Sequence, residues 1–119
     1  MNKNLYDGSC LTWSPQGRLY QVEYAKETVT QGTCLLGLKS DTHVVLCGLR
    51  STMHETLGYH QEKIFDVAPH MNVGIAGLTP DGILLHKFMK NECLNYNYVY
   101  DDNFPTEKLV TKISESKYI

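Results

Sequence analysis

Two stretches limit what this chain can fold into more than any others. Residues 33–39, TCLLGLK, and 43–49, HVVLCGL, are apolar almost throughout and are separated by Ser40-Asp41-Thr42. Short apolar runs flanking a polar tripeptide predict a β-hairpin. A strand lying on one core alternates apolar and polar residues, whereas near-continuous apolar strands want cover on both faces. A second pair of runs, KIFDV at 63–67 and NVGIAGL at 72–78, is joined around Pro69 and predicts another hairpin. The polar residues 50–62 connect the two.

Helical spacing brackets the hairpins. Ser14-Pro15-Gln16-Gly17 is a turn, with proline suited to the second position and Gly17 free to take a positive φ. From Arg18 onward, Leu19, Val22, Ala25 and Val29 form one helical stripe, and Gly32 is the expected C′ residue. Thr79-Pro80-Asp81 predicts a helix start with Thr79 as N-cap. That helix is expected to reach about Asn95 and to bury Leu84, Leu85, Phe88 and Cys93, with a loop over 96–104. A further helix begins at Pro105-Thr106-Glu107 and points Leu109, Val110 and Ile113 inward. The fold class is therefore α+β. Four strands and two helices cover one face of a sheet, and the N-terminal helix is too short to cover the other. The chain is expected either to assemble with partners or to be the first part of a larger sandwich.

At 119 residues the chain holds one domain or part of one. Its 42% hydrophobic and 20% charged content is that of an ordinary globular protein. A net charge of −2 and the lack of a basic run argue against nucleic-acid binding. No apolar run approaches membrane-spanning length, and MNKNLYDGSC has no signal-type apolar region. The expected location is cytoplasm and nucleus. Cys10, Cys34, Cys47 and Cys93 are not in paired metal-ligand or disulfide spacing, so they are expected to be reduced and mostly buried.

Several residues invite chemistry and have plainer readings. His54 and His60 in HETLGYH lie six apart around a glycine, not four apart on a helix as a metalloprotease pair requires; a polar loop explains them. GIAGLTPDG opens a helix but lacks the Lys-Ser/Thr that grips phosphate, and strand packing accounts for Gly74 and Gly77. Cys93 and His86 share a helix without an activating neighbour, which favours a core cysteine. Glu23 and Glu27 sit beside Lys26 and Arg18 and read as a solvated or interface face. Lys63 opens a strand and Thr33 starts one, and neither position needs a special role from spacing alone. No residue pattern calls for a metal or a cofactor.

SPQGRLYQVEYAKE, followed in order by QGTCLLGLKSDTHVVL, QEKIF, GIAGLTPDG and FMKNECL, resembles the α-type subunits of the proteasome core particle. The first block is the specific one; the later blocks add their order along nearly the whole chain. The resemblance implies the N-terminal-nucleophile hydrolase sandwich, an αββα arrangement, of which residues 1–119 would supply the first half: a gate segment over 1–13, a turn and helix over 14–32, then two hairpins and two helices. It implies a truncated product, a fragment or a partial sequence.

It also implies a role. Catalytic β-type relatives attack with a processed N-terminal threonine whose free amine serves as base, supported by an aspartate and a lysine. Thr33 aligns with that threonine but lies inside the chain, Leu49 falls at the aspartate and Lys63 at the lysine. No peptidase activity is expected. The resemblance instead implies a non-catalytic ring subunit whose first helix plugs the cleft and packs on neighbouring α subunits, with β subunits as further partners. Tyr6, Asp7, Pro15 and Tyr24 match the cluster that holds the open gate, although the family's Tyr-Asp-Arg is Tyr6-Asp7-Gly8 here. Gly32 and Lys63 match the pocket that receives the C-terminal tails of activators, and polypeptide substrate would pass the gate. Two rivals stay open. An active threonine peptidase would need cleavage before Thr33, and a truncated product would remain outside any ring.

Overall fold

The computed structural model describes residues 5–50 and 62–116. Its elements are α1 (Tyr20–Thr30), β1 (Leu35–Lys39), β2 (Val44–Gly48), β3 (Ile64–Ala68), β4 (Met71–Gly74), α2 (Thr79–Tyr100) and α3 (Thr106–Ser116). β1 pairs antiparallel with β2, Leu35 opposite Gly48 and Lys39 opposite Val44. β3 pairs antiparallel with β4, with a bulge between Asp66 and Ala68. Among the described residues these are two separate two-stranded sheets. Both expected hairpins are present. His54 and His60 fall outside the described residues.

The core sits on one side of the chain. Val67, Met71, Met89, Cys93, Phe104 and Leu109 are buried together, with Leu85, Tyr96 and Ile113 packed against them. It therefore joins the second hairpin to α2, α3 and the loop between the helices. The first hairpin has no such cover. Leu36, Leu38, Val44, Val45 and Leu49 are all more than half exposed, at 52–70%. The radius of gyration is 18.1 Å, whereas a compact domain of this length would have about 13.5 Å. The demand for cover on both faces, legible in the sequence, is unmet within the described residues.

Several expectations of burial fail. Leu84 and Val110 are exposed, because each lies on the helix face turned away from the core. Of the four free cysteines only Cys93 is buried; Cys34 and Cys47 belong to the uncovered hairpin, and Cys10 to the N-terminal segment.

The boundaries of α2 differ from those expected. It runs to Tyr100, about a turn and a half beyond Asn95. Residues 95–100 are poor helix formers by composition, but Tyr96 packs 4.5 Å from both Phe104 and Tyr100, and tertiary contact outweighs propensity. Asp101 ends the helix in the left-handed region at φ 51°, a conformation that aspartate tolerates better than most residues. The N-cap of α2 is Leu78 rather than Thr79, which puts Pro80 in the first turn, where its missing N–H costs nothing.

Candidate functional site

The N-terminal turn comes first. The Ser14 N–H donates to the Arg18 carbonyl at 2.9 Å, Gly17 N–H to the Ser14 carbonyl at 2.9 Å, and Arg18 N–H to Ser14 Oγ at 3.0 Å. Ser14 is buried, and Gly17 takes φ 73°, the positive value its place in the turn allows. This closed turn, with Pro15 at its second position, aims α1. Arg18 then grips Glu23 through two bonds, Nε to Oε1 at 2.8 Å and Nη2 to Oε2 at 2.6 Å, and stacks 5.5 Å from the Tyr20 ring. The hydrogen bond and charge of Glu23 raise the guanidinium pKa.

α1 reaches back to the N-terminal segment. The Tyr24 hydroxyl faces Asp7 Oδ2 at 3.4 Å, long for a hydrogen bond, and Gln21 Nε2 donates to the Asp7 carbonyl. Desolvation, then the charge of Asp7, raises the Tyr24 phenol pKa. Asp7 and Tyr24 are therefore brought together, Tyr6 is half-buried beside them in sequence, and Pro15 shapes the turn. Gln21 is a member that sequence reasoning misses. Its spacing, three residues before Tyr24 on one helix, is the signal that puts both on the face that meets Asp7.

The second constellation centres on Lys63. Its ammonium donates to the Thr33 carbonyl at 2.7 Å, Thr33 Oγ1 at 2.5 Å and the Cys34 carbonyl at 3.2 Å, with the Leu49 carbonyl at 3.5 Å. An ammonium has three protons to give, so one side chain ties the start of β1, the end of β2 and the start of β3. A strand-opening lysine with no special role is thus replaced by a half-buried clamp. Its partners are a hydroxyl and carbonyls; among the described residues no carboxylate forms an ion pair with it.

Gly32 lies beside this clamp. A left-handed C′ residue is expected there, but among the described residues the left-handed glycines are Gly17 and Gly77. Gly32 is small because the chain passes so close to Gly77 that a Cβ would overlap the Gly77 backbone nitrogen. Val29 of α1 also meets Gly77. The end of α1 thus leans on the wall of a cavity of about 200 Å³ lined by Gly32, Thr33, Glu62, Lys63, Ile75 and Gly77, among others.

The arrangement brings a hydroxyl and a lysine ammonium into contact. Thr33 nitrogen is a peptide nitrogen within this chain, and Leu49 meets the lysine through its carbonyl. His86 and Cys93 do not pair. His86 Nε2 bonds the Asp66 carbonyl at 3.0 Å, while burial raises the Cys93 thiol pKa and keeps it protonated. Among the described residues no cluster of His, Cys, Asp and Glu could hold a metal, and no helix is long and apolar enough to cross a membrane.

Comparison with known proteins agrees with the order of these elements. Residues 29–118 match the family described as "Proteasome subunit", and residues 6–27 match the N-terminal signature of proteasome subunits of the A type. The whole chain is 44% identical to the alpha type-1 proteasome subunit of Dictyostelium discoideum and covers 48% of it. It is also 42% identical over its full length to the probable alpha type-6 proteasome subunit of Schizosaccharomyces pombe, covering 43% of it. Over 95% of its length it is 43% identical to the alpha type-1 proteasome subunit of Drosophila melanogaster, covering 40% of that relative. The chain thus spans about half the length of the curated relatives it matches. The signature over the turn and α1, together with the family match through both hairpins and the two helices that follow, shows that the chain belongs to the proteasome subunit family, with its N-terminal-nucleophile hydrolase fold, on the α-type branch.

Proposed function

We propose that the chain serves as a non-catalytic α-ring subunit of the proteasome core particle, where it scaffolds assembly, contributes to the gate over the substrate entry pore and takes part in ubiquitin-dependent protein degradation in cytoplasm and nucleus. The observation that carries the non-catalytic reading is the Lys63–Thr33 contact: the lysine and hydroxyl are placed, but the amine is a peptide nitrogen and Leu49 stands where an acid is needed. The Asp7–Tyr24 contact supports a gate role, because it tethers the N-terminal segment to the helix that begins the domain. The apolar cover that the first hairpin lacks would come from the other sheet of the sandwich, of which the chain would supply the first half, or from neighbouring α and β subunits.

Activator docking belongs to the same reading. A tail ending in a carboxylate would meet the Lys63 charge, which no carboxylate among the described residues neutralises, and the bare Gly32 backbone lets an extended tail approach. Native mass spectrometry of the tagged chain, purified from its cell, tests the proposal. The expected result is a large particle containing α- and β-type subunits, which loses activator-tail binding on Lys63→Ala while staying assembled. A chain without such partners overturns the ring assignment; unchanged tail binding overturns the pocket.

A further inference from the structure

Asp7 meets α1 at two points of different chemistry. Its carboxylate faces the Tyr24 hydroxyl at 3.4 Å, beyond the roughly 2.5–3.0 Å usual for a hydroxyl donor. Its main-chain carbonyl accepts directly from Gln21 Nε2. A carbonyl only accepts, so the NH₂ end of the carboxamide is the end that faces it. Burial does little to anchor the segment that Asp7 belongs to. Its apolar side chains Leu5, Leu11 and Trp13 are 64–85% exposed. Gly8 has no side chain to add a hold, and nothing stands within 4 Å of where its Cβ would be.

The two contacts differ in what they fix. The Tyr24 contact needs a carboxylate at position 7 and holds a side chain that is free to rotate about its own bonds. The Gln21 contact needs only a peptide carbonyl and holds the main chain itself. The donor is also set on a firm base. The Ser14–Gly17 turn and the two bonds from Arg18 to Glu23 fix the start of α1 without help from Gln21. Gln21 is exposed, so its side chain has no core to fill. Methionine, lysine and glutamate have nearly the helix propensity of glutamine, and the position accepts them without loss of α1.

We propose that Gln21 is the positioning residue of the N-terminal segment: it sets where the main chain at Asp7 lies on α1, and Tyr24 adds a weaker hold through the carboxylate. The positioning stands on these contacts; its effect on substrate entry rests on the proposed gate role. The full-length chain, in whatever complex it purifies with, is compared with Gln21→Met, which keeps length without a donor, Gln21→Lys, which keeps donors, and Tyr24→Phe. The rate of chymotrypsin cleavage after Tyr6 and Leu11 is read by mass spectrometry, with helix content checked by circular dichroism. Cleavage requires the segment to leave α1, so its rate follows the released population. Gln21→Met is expected to speed it about three- to tenfold, as the loss of one neutral hydrogen bond predicts. Gln21→Lys is expected to stay within about twofold of the parent, because its ammonium still donates. Tyr24→Phe is expected to speed cleavage less than Gln21→Met does. If Gln21→Met lowers helix content, Gln21→Glu, which keeps the shape and turns the donor into an acceptor, takes its place with the same expectation. An unchanged rate in the donorless variant, equal acceleration by Gln21→Lys, or a larger effect of Tyr24→Phe overturns the proposal. Peptide hydrolysis by the same purified samples separates the two claims: faster segment cleavage with unchanged hydrolysis leaves the positioning role standing and overturns the gate role.

Discussion

Tyr24 and Asp7 join the N-terminal segment to α1 through one contact of 3.4 Å, and the environment holds the phenol pKa above its ordinary value. Desolvation is the larger cause and Asp7 the next. The sign of the pH effect follows. Below about pH 10 the phenol keeps its proton whether or not the chain is folded. Above that, the unfolded chain releases the proton first, so the contact's contribution fades as pH rises through the folded value. A spectrophotometric titration of the tyrosines is expected to resolve one group above the rest, and Asp7→Asn to move it part of the way down. A Tyr24 midpoint unmoved by Asp7→Asn would show that burial acts alone. The sequence carried half of this contact. Asp7, Tyr24 and Gln21 are present in readable spacing, but nothing local fixes which way a residue 17 positions upstream of Tyr24 will fold back. The Lys63–Thr33 clamp lay further out of reach. It joins residues 30 apart, and a lysine opening a strand reads as a solvent-facing side chain until β1, β2 and β3 are set against one another.

At the scale of elements, α3 is held chiefly by one residue. Leu109 has no exposed surface, whereas Val110, its neighbour, is 54% exposed. Leu109→Ala is expected to cost about 2–5 kcal/mol, as buried leucine truncations do. Val110→Ala is expected to stay within about 0.5 kcal/mol. Denaturant melts of the two variants check this, and equal losses would mean that α3 does not pack as described. Apolar period gave the existence of every element and the inward direction of Leu109 and Ile113. It misdirected Val110 and Leu84, because a stripe of apolar residues is wider than the line of contact with one neighbouring layer. The extra turns of α2 were hidden for a different reason. Asn and Tyr carry little helix propensity, and the Tyr96–Phe104 contact that retains them exists only once the loop has folded back.

Across the whole molecule, the exposed hairpin is the feature with most consequence. Leu36, Leu38 and Val45 are 52–64% exposed, an apolar surface that the other sheet of a sandwich or a partner subunit would cover. Leu38→Lys is expected to leave the core of β3, β4, α2 and α3 intact, since that core does not contain it. It is expected to reduce recovery of the chain in a large particle. The amount of tagged variant that co-purifies with α- and β-type subunits, against an unaltered circular dichroism spectrum, checks both halves. Full recovery would mean that neither the rest of the sandwich nor a partner subunit covers this face.

The sequence by itself determined the order and type of the elements, the Ser14–Gly17 turn, the need for cover on both faces of β1 and β2, and the family, because these depend on local periodicity, on turn residues and on an ordered set of specific blocks. Only the tertiary structure decided that Lys63 spends its protons on Thr33 and Cys34, that Gly32 serves close approach to Gly77 rather than a left-handed cap, and that Gln21 holds the Asp7 carbonyl. Each of these joins segments distant along the chain. A side chain's partner is fixed by where the packed layers bring it, and residue type and spacing specify the layers without specifying their mutual placement.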